Sequence, residues 1–306
     1  MEKTDLELLE KIAELHSIPE GSFNIRKNGA RLIGNSTAEI RIEPKEGNKG
    51  IDIYVAAGVK NKSVHIPVIV TEGNFHDVTY NDFYIGEDAD VTIIAGCGIH
   101  NPSSGESGHD GIHTFHLGER SSVRYVERHY ARGDGKVSRQ VFNPVTKVFM
   151  EKGSRMDMET TQLGGVTYTD RLTEATLGED AKLFIKEKLF TEKEEQAISR
   201  FSVTLKGKNS TSDVVSRSVA RDNSKQEFYS DVIGENECFG HVECDGILLD
   251  GARIISTPRI DAASPDASLV HEAAVGKIAG EQLVKLMSLG LTEKEAEEAV
   301  IKGFLN

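Results

Sequence analysis

The spacing of hydrophobic positions changes twice along the chain, and the first regular pattern is helical. Residues Thr4–Glu7 have the form of a capping box, in which Thr4 is the N-cap and Glu7 reaches back to it. Apolar side chains then recur at the spacing of one helix face until Pro19. The pattern predicts a short amphipathic helix within an N-terminal helical segment, residues 1–37.

Residues 38–272 show strand-like alternation interrupted by turns that begin with glycine. The phrase Gly-Glu-Asp-Ala occurs at Gly86 and again at Gly178, each time before a strand with aliphatic residues at alternate positions. Looser versions begin at Gly118 and Gly207. A turn that recurs in the same relation to the next strand favours a β-solenoid over a sandwich, because each coil must stack on its neighbour. We therefore predict an all-β solenoid core.

The last segment, residues 273–306, returns to helical spacing and predicts two short helices. Gly290 is placed to end the first helix, and Thr292–Glu295 is a second capping box. Helices this short are marginal alone in water, so they either cap the last coil or dock a partner. The apolar residues predicted to dock a partner are Leu283, Leu286, Met287, Val300 and Phe304.

Composition narrows the classes of partner and the compartment. The net charge of −13 disfavours nucleic acid and anionic membranes, since no basic field attracts phosphate. No apolar run reaches the ~18 residues of a membrane helix, and the charged N-terminus lacks a signal-peptide core. We expect a cytoplasmic protein whose three cysteines are free thiols or metal ligands, because they cannot form a disulfide framework.

The segment Cys238–Asp245 is the densest group of chemically active residues. Read as a strand, it places Cys238 and Cys244 on one face and His241 with Glu243 on the other. The two thiols could be small apolar side chains of the core. They could also be ligands or persulfide carriers for iron and sulfur, since thiolate is the usual iron–sulfur ligand.

A second group places one cysteine and four histidines within 20 residues. Its glycine- and serine-rich middle predicts a loop or a long turn between coils. Imidazole and thiolate together suit zinc or iron, although the spacing fits no standard zinc finger. A histidine-rich surface loop is the alternative. The candidate residues are Cys97, His100, His109, His113 and His116.

His271 and Glu272 stand at the end of the last predicted strand, immediately before the helices. Adjacent residues of a strand face opposite sides, so the pair would not share a site within one monomer without a bulge. Both residues could serve one site at a dimer interface. An ordinary polar strand end is the alternative.

The chain carries no motif of a nucleotide hydrolase or of a serine hydrolase. No Gly-Lys-Ser/Thr phosphate loop follows a strand, and there is no nucleophile elbow. A carbohydrate lyase built on a solenoid would need clustered carboxylates with aromatic platforms, and tryptophan is absent. We expect a protein that is not itself an enzyme.

The C-terminal residues resemble the signature of the SufB/SufD family of iron–sulfur cluster assembly proteins. The resemblance covers His271–Leu283, Leu286–Ala296 and Gly303–Phe304, and it extends back through Glu243–Leu249. It is strongest to the short SufB-like chains of archaea and some anaerobic bacteria. The resemblance implies a right-handed parallel β-helix with helical ends and a dimer formed near the end of the helix. It also implies a transient iron–sulfur cluster, of the 4Fe–4S type, and docking of the ABC-type ATPase SufC on the C-terminal helices.

The resemblance assigns individual residues to the implied site. His271 falls on the family's interface histidine, Glu272 on the SufB glutamate beside it, and Cys244 on the cysteine of a Cys-Asp pair. The SufB interface cysteine, however, aligns with Arg253. Either Cys244, Cys238 or Cys97 takes its role, or the chain is a SufD-like partner that supplies only histidine. The leading hypothesis is a scaffold subunit that acts as a homodimer, or as a heterodimer with another β-helix chain. The alternative is a SufD-like accessory subunit that handles iron without holding a cluster alone.

Overall fold

The chain forms a β-solenoid of about eight coils. A computed structural model describes residues 2–133, 138–162 and 164–305. Each coil gives a strand to each of two sheets, and the strands of successive coils pair in parallel. Antiparallel pairs occur in the described residues only at the N-terminal end. The predicted solenoid core is therefore confirmed.

Both sheets run the length of the solenoid. The first contains, in spatial order, β2 (Ala30–Asn35), β1 (Ser22–Lys27), β5 (Lys62–Val70), β7 (Asp90–Asn101), β9 (Ser122–Gly133), β12 (Arg155–Gln162), β14 (Lys182–Thr191), β16 (Ser210–Ala220), β18 (Cys238–Leu248) and β20 (Ala267–Gly276). The second contains β19 (Arg253–Ala262), β17 (Lys225–Gly234), β15 (Gln196–Leu205), β13 (Tyr168–Leu177), β10 (Arg139–Phe142) with β11 (Val145–Met150), β8 (Glu106–Leu117), β6 (His76–Ile85), β4 (Gly50–Val55) and β3 (Ile40–Pro44).

The glycine-led turns stack on one another at one corner of the solenoid. In the turns that begin at Gly86, Gly118, Gly178 and Gly207, the fourth residue donates its N–H to the glycine carbonyl at 3.2–3.3 Å. The third residue of each turn is left-handed, with φ between 54° and 58°. A Cβ at Gly207 would lie 2.0 Å from a backbone nitrogen of the turn below, so close stacking explains the glycine there. The predicted repeat is confirmed as one turn type used in successive coils.

The N-terminal helix α1 (Lys3–Ala13) packs on the outer face of β5, β7 and β9. Leu8, Leu9 and Ile12 are at most 1% exposed. A Cβ on Gly96 would lie 2.6 Å from the carbonyl oxygen of Ile12, so glycine lets the helix approach β7 closely. The helix therefore covers the outer face of the first coils.

The predicted start and extent of this N-terminal segment are wrong in detail. The N-cap is Glu2 rather than Thr4, because the Asp5 carboxylate accepts the Glu2 backbone N–H at 2.9 Å. Nζ of Lys27 forms an ion pair with the same carboxylate at 2.8 Å. Strands begin at Ser22, well before the predicted boundary at residue 38, because the β1–β2 hairpin already belongs to the first sheet.

The C-terminal helices are α2 (Gly280–Ser288) and α3 (Glu293–Leu305), and a 3-10 turn (Glu46–Asn48) precedes β4. The capping box at Thr292 is confirmed, since the Glu295 carboxylate accepts its N–H at 2.8 Å. Gly290 adopts φ = +99° directly after α2, as predicted. Across the described ranges, no helix is long and apolar enough to span a membrane.

Candidate functional site

The C-terminal end of the solenoid leaves two strand edges without a partner strand among the described residues. β19 and β20 are the last strands of the second and first sheets, and we call their outer edges the open end. Apolar side chains on them are exposed, including Ile260 (44%), Val270 (38%) and Val275 (41%). Unpaired backbone donors and acceptors beside exposed apolar side chains make an edge that can pair with another chain.

His271 lies on β20 and faces the interior of the last coil. It stands in register with Val242 of β18, whose side chain belongs to the main core. Both ring nitrogens are buried, and neither has a hydrogen-bond partner in the part of the chain that the structure describes. Burial, and then the nearby His241, lower the pKa of His271. The imidazole is therefore neutral near pH 7, which is the form that binds a metal.

Cys244 is the thiol nearest to His271 along the sheet. It stands in register with Ala273, two residues beyond His271 on β20, and it is 2% exposed. Burial raises the pKa of Cys244 to about 11, although the neighbouring Ser256 hydroxyl lowers it in part. The thiol is therefore protonated in this conformation, and it must be exposed or approached by a cation to act as a ligand.

Cys238 shares the inward face of β18 with Cys244, as the alternation predicts. It belongs to the main hydrophobic core, and burial raises its pKa. Six residues of extended strand separate the two cysteines, which corresponds to about 20 Å. They cannot bind one metal ion together.

Glu272 faces the opposite side of β20 from His271, again as alternation predicts. Its carboxylate lies 3.8 Å from Nε2 of His241 on the outer face of the first sheet. Arg253 is exposed at the start of β19, where it stands in register with Lys225. The position that the sequence resemblance assigns to an interface cysteine thus carries an exposed cation here.

The loop predicted for the middle of the Cys97–His116 stretch is limited to residues 102–105, since the rest of the stretch forms the long strands β7 and β8. The glycines that suggested a loop make room for other groups. A Cβ on Gly108 would lie 2.5 Å from the ring of His76, and one on Gly111 would lie 2.9 Å from the ring of His113. Close packing, rather than a flexible turn, explains their presence.

The five candidates of this stretch point in different directions. His109 (2% exposed) and His113 (4%) face the interior, where the hydroxyl of Tyr125 lies 2.9 Å from Nδ1 of His113. Burial lowers the pKa of His113 to about 4. His116 is on the outer face, stacked between Tyr84 and an aromatic ring of the next coil at 5.1 and 5.4 Å.

The remaining two candidates lie on β7. The guanidinium of Arg132 donates to His100 at 3.1 Å. Cys97 is 5% exposed among apolar side chains, and burial raises its pKa well above the usual value. Five strand spacings of ~4.8 Å separate β7 from β18, so Cys97 lies roughly 24 Å from the strand of Cys244. Within residues 2–133, 138–162 and 164–305, no three His, Cys, Asp or Glu side chains are arranged to hold a metal ion.

A buried ion network in the middle coils was not predicted from the sequence. Arg171 donates to Glu127 at 2.6 Å and contacts Nδ1 of His129 at 3.1 Å, and all three are at most 5% exposed. Burial opposes ionisation of Glu127, but Arg171 and His129 outweigh it and hold the pKa of that carboxyl well below its usual range. The network therefore keeps an ion pair inside the solenoid.

The same network extends towards the open end. Glu187 accepts hydrogen bonds from the hydroxyls of Ser199 and Ser216, both at 2.7 Å, and it lies 3.9 Å from Arg171. Ser216 stands in register with Cys244 on the next strand. The inward neighbours of Cys244 on the preceding coils are thus polar.

Comparisons with known proteins identify the family. The family model described as SUF system FeS cluster assembly, SufBD core domain, matches residues 70–304. The chain belongs to the SufBD family. An iron–sulfur cluster assembly SufBD family protein of Methanocaldococcus jannaschii is 27% identical, over 98% of this chain and 97% of its own length. One of Pyrococcus horikoshii is 27% identical over 91% and 85%, respectively. One of Methanothermobacter thermautotrophicus is 35% identical over 42% of this chain and 32% of its own length.

In this SufBD-family chain, α2 has no buried residue. Met287 is 42% exposed, and two apolar residues missing from the predicted set, Val284 (67%) and the C-cap residue Leu289 (76%), are more exposed still. Leu283 and Leu286 are half-buried. The helix thus presents apolar side chains to solvent, which is typical of a surface that binds another protein.

Helix α3, unlike α2, packs against the solenoid. Ala296 and Ile301 are buried, and Glu297 forms an ion pair with Arg221 at 3.2 Å. Val300 and Phe304 line a groove between α3 and the end of β20. The two helices therefore differ, since α3 contacts the solenoid and α2 is held mainly by α3.

Proposed function

We propose that this SufBD-family protein is a scaffold on which an iron–sulfur cluster is assembled, working as a dimer together with an ABC-type ATPase of the SufC kind. Membership of the family supports a role in iron–sulfur cluster assembly. The cluster is cargo that the scaffold holds transiently, and a 4Fe–4S cluster is the type we expect. ATP hydrolysis would belong to the partner, because the chain carries no phosphate-binding loop.

The observation that carries the proposal is the state of His271 at the open end. Two buried ring nitrogens that find no hydrogen-bond partner among the described residues are costly unless something binds them. The buried Cys244 thiol stands one inward position away on the neighbouring strand. Imidazole and thiolate are both ligands of iron–sulfur clusters, so the residues present fit the cargo.

A second β-helix chain would complete this site. One histidine and one cysteine leave an iron–sulfur cluster short of ligands, since such clusters usually have four protein ligands. A partner chain that pairs with the edge of β20 would bring its own equivalents to the same place and satisfy the exposed backbone groups. A homodimer supplies two copies of His271 and Cys244.

The ATPase would act through the helices. We propose that it binds the apolar side chains of α2 and pulls on α3 through the contact between them. Because α3 is tied to the solenoid at Arg221, movement of the helices would be transmitted to the last coils. Opening the end of the solenoid would expose Cys244, whose burial now keeps it protonated.

Anaerobic reconstitution with ferrous iron and sulfide tests the scaffold role. We expect the wild-type protein to develop the visible absorption of a cluster, and His271→Ala and Cys244→Ser to lose it. Cys97→Ser is the matched control, since that thiol is equally buried but lies far from the open end. An unchanged spectrum in both His271→Ala and Cys244→Ser would reject the proposal.

A SufD-like accessory role is the second candidate, and Arg253 favours it. An exposed arginine occupies the position that aligns with the SufB interface cysteine. Under this alternative the chain would supply His271 to a different β-helix subunit and hold no cluster alone. Coexpression with such a subunit distinguishes the two, since a stable heterodimer in place of the homodimer supports the accessory role.

A further inference from the structure

The outer face of the last coils carries a histidine that the proposed scaffold site does not use. His241 on β18 lies between Asp213 on β16 and Glu272 on β20. Its Nδ1 is 2.8 Å from an oxygen of Asp213, and its Nε2 is 3.8 Å from an oxygen of Glu272. Three neighbouring strands thus bring one imidazole between two carboxylates.

Asp213 determines which nitrogen of His241 is free. A hydrogen bond at 2.8 Å places the proton of the neutral ring on Nδ1, so the lone pair of Nε2 points towards Glu272. A carboxylate that holds the far side of a histidine is the usual support of a metal-binding imidazole. Asp213 is therefore a positioning residue, and Nε2 is the atom available to a ligand.

The gap between Nε2 and Glu272 fits a cation. In the neutral ring, Nε2 and the Glu272 oxygen that faces it are both acceptors. Metal bonds of about 2.1 Å to nitrogen and oxygen would span the observed 3.8 Å at an angle of about 130°. Such an angle requires no movement of either strand.

A further carboxylate lies on the same outer face. Glu243 stands in register with Glu272 on the same face. Arg217 lies 3.8 Å from the Glu243 carboxylate. Carboxylates thus outnumber cations here, and the side chain of Glu272 is 68% exposed and free to turn.

We propose that His241 and Glu272, with Asp213 orienting the imidazole, bind a divalent transition-metal ion on the outer face of the last coils. A mixed nitrogen and oxygen donor set with open positions suits ferrous iron. The choice of iron rests on the proposed function, whereas binding of a divalent cation does not. Glu272 then serves a site separate from that of His271, on the other face of the same strand.

Anaerobic titration of the intact protein with Co²⁺, followed by calorimetry and by visible absorption, tests the site, and Fe²⁺ is titrated in parallel. We expect one strong cation per chain in the wild type. His241→Ala and Glu272→Gln should weaken binding at least 10-fold, and Asp213→Asn about 10-fold, since outer carboxylates contribute that much. His76→Ala is the matched control, because His76 also pairs with an aspartate at 2.8 Å on the solenoid surface. It should leave binding unchanged.

The results for these variants test the cation site independently of the proposed scaffold role. Wild-type binding in His241→Ala and in the nearly isosteric Glu272→Gln, or no Co²⁺ binding at all, would overturn the cation site. His271→Ala should bind Co²⁺ as the wild type does while failing to hold a cluster. If His271→Ala and Cys244→Ser both retain the cluster and His241→Ala still loses Co²⁺, the cation site stands and the scaffold proposal fails.

Discussion

The two ends of the solenoid differ in the length and the pairing of their edge strands. At the N-terminal end, the edge strands β2 and β3 have six and five residues, β3 ends in Pro44, and both pair antiparallel within hairpins. At the C-terminal end, β19 and β20 have ten residues each, and only β19 contains a proline, Pro258. Short strands and proline discourage pairing with other chains, whereas a long edge invites it. The N-terminal edges are thus short and paired within hairpins, whereas the C-terminal edges are long and open.

The helices at the two ends also differ, in how much of their apolar surface is buried. Helix α1 buries Leu8, Leu9 and Ile12 against the first coils, whereas α2 buries nothing. A short helix that packs contributes stability, and one that remains exposed contributes a surface. The contrast predicts that equivalent changes at the two ends have different consequences.

The largest difference should come from truncating apolar side chains of the helices. Ile12→Ala removes a fully buried side chain and should lower the free energy of unfolding by about 2–5 kcal/mol. Leu289→Ala, at a residue that is 76% exposed, should change it by less than about 0.5 kcal/mol. Denaturant unfolding of the intact protein measures both. Equal losses would mean that α2 is a structural cap.

The same Leu289→Ala variant should weaken association with the ATPase. A stable protein with impaired binding is the result expected of a docking helix. A protein that binds normally would assign docking to another surface.

The sequence predicts the solenoid because its turns are local. The Gly-led phrase at Gly86 and Gly178 encodes a tight turn whose geometry depends on four adjacent residues. The inward face of Cys238 and Cys244 follows from alternation alone. The interior of β13 could not be predicted, because Arg171 faces inwards there while the neighbouring Leu172 is only half-buried. The inward orientation of Arg171 depends on its hydrogen bond with Glu127, which is 44 residues away in the chain.

The candidate site is predictable only in part for the same reason. His271 could be predicted as a site residue because the residues around it in the sequence resemble the family signature. His241 and Asp213 meet through the register of two strands, which the sequence does not state. The histidines of β8 were misplaced because glycine suggests a turn, whereas Gly108 and Gly111 make room for rings. The cytoplasmic location and the lack of enzymatic activity stay predictions.

Opposite pH responses of two histidines should sharpen the contrast between interior and open end. Burial lowers the pKa of His113 to about 4, so its contribution to stability is complete above the unfolded value of ~6.5 and is lost as the pH falls towards 4. The loss amounts to about 3 kcal/mol at most. Asp213 raises the pKa of His241, so its contribution is present below ~6.5 and is lost as the pH rises through the raised value.

Unfolding free energies of His113→Gln and His241→Gln, measured from pH 4 to pH 8 and subtracted from the wild type, separate the two effects. His113→Gln should reduce the pH dependence of the unfolding free energy on the acid side of the range. His241→Gln should reduce it near neutral pH. The same sign of change in both variants would contradict the assigned environments.

A smaller effect should come from adding one methyl group at each end. Gly96→Ala places a Cβ 2.6 Å from the carbonyl of Ile12 and should cost about 1–3 kcal/mol, because α1 must move. Gly276→Ala meets no atom within 4 Å and should change stability by less than about 0.5 kcal/mol. Thermal unfolding of the two variants provides the comparison. Similar shifts would show that α1 does not press on β7.

Amide hydrogen exchange of the protein at low and high concentration tests the central claim, that the open end is where two chains meet. The account predicts that peptides covering Ala267–Gly276 gain protection as the dimer forms, while peptides covering Ala30–Asn35 and Ile40–Pro44 do not change. Protection gained at the N-terminal strands, or a dimer that leaves β20 exchanging as fast as the monomer, would contradict it.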